Sequence, residues 1–233
     1  MSVATTCVRP EEAAEAVPED VGQAMHDLLV ELFPINRSLT GDGVRRTLAR
    51  LGELMPLTIH EIPTGTKVGD WEVPREWVMR DAYIGAPDGR RIAEFSRNNL
   101  HVVGYSTPVD ALMSLEELQP HLYSQEDMPD AIPYVTSYYA ERWGFCLPHN
   151  ERVRLEPGTY RAFIDSELVQ GSLTYADLVI PGESEEEVLL STYACHPSMA
   201  NNELSGPVVT AALARRLAGM ANRRHSYRIV FGP

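Results

Sequence analysis

Between Ala194 and Gly206 the sequence reads Ala-Cys-His-Pro-Ser-Met-Ala-Asn-Asn-Glu-Leu-Ser-Gly, and His196, Asn201, Asn202 and Glu203 bring one imidazole, two amides and one carboxylate within eight residues. His196 offers nitrogen and Glu203 oxygen to a zinc ion, while the amides of Asn201 and Asn202 suit orienting such ligands or a substrate from behind. Two ligands do not complete a catalytic zinc site, which takes three protein groups and an open position for water, so the remainder must come from elsewhere. Two plainer readings stand beside this one. Asn202 or Glu203 caps the helix that follows, and His196, ahead of Pro197, is a hydrogen-bonded turn residue. No H-E-x-x-H or H-x-D pattern decides between them. A thiol nucleophile at Cys195, activated by His196, is disfavoured because adjacent residues at a strand end point to opposite faces and no orienting group is evident.

The strand before this loop and the helix after it must do the positioning. Val188, Leu189 and Leu190 are apolar on both faces, which predicts a central strand over residues 188–193 covered by helices on each side. Residues 204–220 read as a long helix and 227–231 as another strand, so the loop belongs to a βαβ unit, where ligands bind at strand ends. Further upstream, Val21, Met25, Leu28, Leu29, Leu32 and Phe33 recur at helical spacing until Pro34. After a turn at Asn36-Arg37-Ser38 a second helix is expected over 41–54, with Thr40 or Asp42 as N-cap, and then a half-buried strand over 57–62.

Between about residues 65 and 157 the texture becomes β-rich. Segments 77–84 and 91–95 flank Ala86-Pro87-Asp88-Gly89, a hairpin turn, and Ser114 with Glu117 resembles a capping box opening a short helix to residue 122. Strands over 160–164 and 173–180 follow. Trp71, Trp77 and Trp143 are expected to pack the core of the β-rich region. Arg37 and Asp165 sit near polar turns, with nothing in the spacing that ties them to the pocket.

The chain has 233 residues, 44% of them apolar, enough for a sizeable core in one or two domains. Its net charge of -13 argues against nucleic acid or an anionic membrane as partner and leaves a small molecule or peptide open. Cys7, Cys146 and Cys195 form no C-x-x-C pair, so a reducing, cytoplasmic setting is expected. Residues 1–20, rich in Glu, Ala and Pro, read as a flexible leader, and no run is long and apolar enough to cross a bilayer.

Residues 191–207, Ser-Thr-Tyr-Ala-Cys-His-Pro-Ser-Met-Ala-Asn-Asn-Glu-Leu-Ser-Gly-Pro, resemble the signature of a bacterial aminopeptidase-like family first noted in polysaccharide biosynthesis loci and related to the co-catalytic zinc aminopeptidases. So do Leu-Phe-Pro-Ile-Asn-Arg-Ser-Leu-Thr-Gly at 32–41, Asp-Trp-Glu-Val-Pro-Arg-Glu-Trp at 70–77 with Arg-Asp-Ala-Tyr-Ile at 80–84, Tyr-Val-Thr-Ser-Tyr-Tyr at 134–139 with Arg-Trp-Gly-Phe-Cys at 142–146, and Ile-Asp-Ser from 164. The resemblance implies an α/β fold with a zinc-aminopeptidase-like mixed sheet flanked by helices. Residues 21–64 and 166–233 would form that domain, interrupted by a β-rich insert over 65–165. It also implies His196 as a zinc ligand and hydrolysis of an amide or peptide bond.

In the related enzymes a bridging carboxylate sits four residues before the glycine of the Ser-Gly pair; here that position is Asn202, and Glu203 follows it. Their pattern also continues past a strand like 227–231 with a general-base glutamate, whereas this sequence ends at Gly232-Pro233, so the base is expected to lie outside it. The alternative is a non-catalytic binding module that keeps the scaffold. A homo-oligomer is compatible with either reading.

Overall fold

The computed structural model describes residues 20–138 and 140–233, so the leader expected at the N-terminus lies, Asp20 apart, outside the described residues. In chain order they form helices α1 (Val21–Leu32) and α2 (Asp42–Gly52), strand β1 (Thr58–Pro63) and a short hairpin of β2 (Lys67–Val68) and β3 (Trp71–Glu72). Next come β4 (Glu76–Gly85), β5 (Arg91–Ile92), β6 (Val109–Ser114), the one-turn helix α3 (Leu115–Leu118), β7 (Leu122–Tyr123), β8 (Phe145–Cys146) and the one-turn helix α4 (His149–Arg152). The chain finishes with β9 (Thr159–Val169), β10 (Ser172–Ile180), β11 (Glu187–Tyr193), α5 (Ser205–Ala218) and β12 (Ser226–Gly232). These elements divide into two compact units, one comprising the described residues up to Val73 with Gly171–Pro233, the other Pro74–Gln170.

The first unit is built on a mixed sheet in the order β1-β10-β12-β11. β10 runs antiparallel to both neighbours, while β11 and β12 are parallel and joined through α5, the βαβ unit that the sequence predicts. Its core unites Leu28 and Leu32 of α1, Val44, Leu48 and Leu51 of α2, and Val208, Ala211 and Ala214 of α5 with Ala176, Leu178, Ile180, Ile229 and Phe231 of the strands. Each large side chain buried there contributes roughly 1.5–3 kcal/mol relative to exposure. Asp20 caps α1 by accepting from the Gln23 amide at 2.9 Å.

Three expectations for this unit are corrected. β11 is an edge strand of the sheet formed by the described residues, and Leu189 is 61% exposed. An apolar run shows which faces could be covered, whereas its neighbours decide which are. The N-cap of α2 is Gly41 rather than Thr40 or Asp42, with no side-chain cap. There the helix start lies hard against the preceding turn: a Cβ on Gly43 would sit 1.8 Å from the Asn36 carbonyl oxygen. The helix expected from residue 204 is preceded by a π-helical turn over Ala200–Leu204 before α5 begins.

The second unit carries an antiparallel sheet ordered β5-β4-β9-β6, with a bulge in β4 between Met79 and Asp81. Trp77 is buried on it and donates from Nε1 to the Ser106 carbonyl at 3.0 Å, so its indole is a core group with its one polar atom satisfied. Ser114 and Glu117 form a true capping box. The helix they open lasts a single α turn and then tightens into a 3-10 turn over Gln119–His121, because Pro120 has no amide to continue the ladder. β5 stops at Ile92, short of the expected residue 95, since Ala93 adopts a left-handed φ of 48° that no strand can carry.

Candidate functional site

The parallel pairing of β11 and β12 carries on one step past the strand, where the Ala194 amide donates to the Gly232 carbonyl at 2.8 Å. The loop that follows is therefore launched from a fixed point. It turns through Ser198, held at φ 43°, into the π-helical turn. Such a turn carries one more residue per turn than an α-helix and is a frequent local device at functional sites. Here it directs Glu203 inward, where the residue is only 1% exposed. Gly206 lets the start of α5 close on β11, since a Cβ there would meet Thr192 Oγ1 at 2.3 Å.

Both oxygens of Glu203 are directed at His196. Oε1 accepts from the His196 backbone amide at 2.9 Å, and Oε2 lies 2.7 Å from His196 Nδ1. A neutral imidazole that gives its Nδ1 hydrogen to a carboxylate carries its lone pair on Nε2. Tyr193 sits with its ring tilted against the imidazole at 5.3 Å between centroids and donates its hydroxyl to the Asn202 carbonyl at 3.2 Å. The Cys195 Sγ is 3.3 Å from His196 Nδ1. That contact overturns the expectation that the two side chains diverge. Burial nevertheless pushes the Cys195 thiol up to about 12, helped by Glu203 and opposed by Arg37, so it is a neutral thiol near neutral pH and a poor nucleophile.

Among the described residues, Cys195, His196 and Glu203 are the group of potential metal-ligating side chains whose donor atoms converge, all within 4.8 Å of one another. Asn201 and Asn202 are exposed. Their backbone carbonyls accept from Ser205 and Tyr193, and their side-chain amides make no hydrogen bond to His196 or Glu203 among the described residues.

Arg37, which spacing alone could not place, belongs here. It is 1% exposed; Nε donates to the His196 carbonyl at 3.0 Å and Nη1 to the Leu32 carbonyl at 2.7 Å, while Nη2 is buried without a hydrogen-bond partner among the described residues. Burial pulls the guanidinium down to about 10, against the opposing pull of Glu203 and Cys195, so it remains a cation at neutral pH. Asp165 lies instead in the second unit, paired with Arg80 at 2.9 Å.

Residues 26–233 match the family described as a domain of unknown function, DUF4910. A Clostridium acetobutylicum protein, provisionally named as a polysaccharide biosynthesis protein with an aminopeptidase-like domain, is 47% identical over 214 residues, covering 92% of this chain and 49% of its own. A crystal structure from the same organism, of a protein provisionally described as a peptidase, superposes with a TM-score of 0.89 at 47% identity over 92% of this chain and 50% of that one. The chain thus spans about half the length of these relatives. A zinc aminopeptidase from Bacillus subtilis shares the fold at a TM-score of 0.56 and 10% identity, covering 93% of this chain and 62% of that one. The chain belongs to the DUF4910 family, and its α/β fold, a mixed sheet packed against helices, is that of the aminopeptidase-like proteins.

Proposed function

We propose that this chain carries part of the active centre of a zinc-dependent, aminopeptidase-like hydrolase acting on an amide or peptide bond, with His196 as a metal ligand. The observation that carries the reading is the His196–Glu203 pair at the end of a parallel strand, with a buried carboxylate on Nδ1 at 2.7 Å. Histidines that ligate metals commonly give their second nitrogen to a carboxylate in this way, which fixes the ring and raises the basicity of the nitrogen facing the metal. The donor set fits zinc on that ground: His196 would hold it through Nε2. Glu203, with both oxygens directed at His196, would hold the ring or turn one oxygen to the ion.

When bound, zinc supplies a Lewis acid for the scissile carbonyl and a bound water of near-neutral pKa. The residues of this chain contribute the framework for that chemistry. Glu203 fixes the imidazole, Arg37 anchors the His196 carbonyl and offsets the buried carboxylate, and Tyr193 closes one side of the ring. Asn201 and Asn202, exposed at the head of the π-helical turn, would meet substrate rather than orient ligands. The general base and the remaining ligands fall to other parts of the whole protein, and its substrate is a peptide or a small molecule with an amide bond.

A metal-free recognition module is the second reading, favoured by one observation: the position four residues before Gly206 is Asn202, an exposed amide in place of a carboxylate. Elemental analysis of the dialysed protein separates the two. Stoichiometric zinc that disappears in His196→Ala supports the hydrolase, as does hydrolysis of aminoacyl amides lost on chelation. A metal-free protein with unchanged ligand binding in His196→Ala would reject it.

A further inference from the structure

A cleft of about 620 Å³ opens in the second unit, lined by Arg90, Arg91, Arg97 and Arg154 with His101, Glu94 and Glu151. With Asp88, which pairs with Arg90, four guanidinium groups face three carboxylates and leave an excess of one positive charge, in a chain whose net charge is -13. A cleft focuses the local field, so arginines gathered in one favour an anion that the acidic surface at large repels.

The arginines are held in ways that leave them able to engage a ligand. The Arg91 guanidinium carbon lies over the Tyr83 ring, 3.8 Å from its centre, a cation–π contact that holds the side chain without using up its hydrogen-bond donors. Arg90 and Arg97 pair with Asp88 and Glu94 at 2.6 and 3.0 Å, but both side chains are 77% exposed. The Arg90–Asp88 pair, with Asp88 51% exposed, is of the kind worth little, so a ligand oxyanion can replace or share it at little cost, and the exposed Arg97 guanidinium keeps donors beyond those that meet Glu94. Arg154 makes no side-chain hydrogen bond or ion pair among the described residues.

Two features of the cleft wall are built rather than incidental. His101 Nδ1 lies 2.8 Å from the Cys146 carbonyl, which can only accept, so Nδ1 carries the hydrogen and the neutral ring keeps its lone pair on Nε2. Burial holds the His101 pKa below its ordinary value, and that tautomer suits a hydroxyl on the ligand. Ala93, in the wall, is 4% exposed and strained at φ 48°, a conformation that costs about 1–3 kcal/mol and persists only where the surroundings impose it.

We propose that this cleft binds a small polyanion, a phosphate- or carboxylate-bearing molecule with at least two negative charges. The arginine forks grip the oxyanions, and the apolar wall at Ile92 and Leu155 accepts the ligand's carbon frame.

Calorimetric titration of the protein with pyrophosphate, and separately with citrate, tests this. Saturable binding that weakens at least tenfold in Arg97→Ser/Arg154→Ser, with unchanged circular dichroism and unchanged affinity in His196→Ala, is expected. A response to both anions assigns recognition to oxyanion charge, and a response to pyrophosphate alone narrows it to phosphate. Absence of saturable binding by either anion overturns the proposal. So does binding that the double arginine variant leaves intact, or binding that His196→Ala abolishes.

Discussion

Arg37 donates from Nε to the carbonyl oxygen of His196 at 3.0 Å across 159 residues of sequence, and from Nη1 to Leu32 at the end of α1 at 2.7 Å. One buried cation thus ties the site loop to the first helix and sits beside the buried carboxylate of Glu203. Removing the guanidinium leaves the His196 and Leu32 carbonyls without their donors, at a cost of about 1–3 kcal/mol for each buried group left unsatisfied. Arg37→Met is expected to lose that much in urea unfolding. Arg37→Lys should recover only part of it, because an ammonium group cannot reproduce the fork that reaches both carbonyls. A wild-type midpoint for Arg37→Met would show that the guanidinium is not what holds the loop.

Glu203→Gln keeps the shape of the side chain and changes what it can do at Nδ1. A glutamine amide can donate to that nitrogen, which favours the tautomer with its hydrogen on Nε2 and no lone pair there for a metal. Zinc affinity is expected to fall roughly 10–100-fold, the range for losing a carboxylate behind a ligating histidine. Nitrogen chemical shifts of His196 report the tautomer directly, without reference to turnover. A variant with unchanged shifts and unchanged zinc affinity would mean that Glu203 does not set the ring.

The elements that position this site are written in local pattern. Leu28 and Leu32, Leu48 and Leu51, and Val208, Ala211 and Ala214 recur at helical spacing, and each set reaches the core. The crowding of His196 and Glu203 within eight residues is likewise visible before any fold is known. Arg37 was not legible in this way, because its contact with His196 depends on α1, α2 and the sheet all being in place, and no periodicity encodes a pairing 159 residues apart. The π-helical turn was hidden for a different reason: residues 200–204 suit an α-helix equally well, and packing rather than propensity selects the wider turn. The exposure of Leu189 was hidden too, since an apolar residue carries no record of whether a neighbour covers it.

Burial holds the thiols of Cys146 and Cys195 at about 12, whereas in the unfolded chain they ionise near 9. The folded state keeps those protons more tightly. Its stabilisation by them is whole below pH 9 and is lost as pH rises from 9 toward 12, at up to about 1.4 kcal/mol per thiol for each pH unit. Unfolding free energy measured from pH 8 to 11 should therefore fall, and Cys146→Ala/Cys195→Ala should flatten that slope. At pH 8 both thiols should resist alkylation in the native protein and react in urea. Rapid native alkylation of Cys195 would instead mark it as an accessible thiolate and reopen its candidacy as a nucleophile.

Gly206 offers the last test, because it concerns how closely α5 approaches β11 and so how the π-helical turn is clamped between them. A Cβ at residue 206 would sit 2.3 Å from Thr192 Oγ1 and 3.4 Å from Thr192 Cβ, and a short β-branched side chain has little room to yield. Gly206→Ala is expected to cost about 1–3 kcal/mol by overpacking and to loosen His196, since Glu203 lies three residues earlier, on the π-helical turn that runs directly into α5. Thr192→Ala removes the opposing oxygen. The double variant Gly206→Ala/Thr192→Ala should regain most of the loss, giving a coupling energy that the single variants cannot produce if they act independently. Strictly additive losses in that cycle would show that the helix start is held by contacts other than this one.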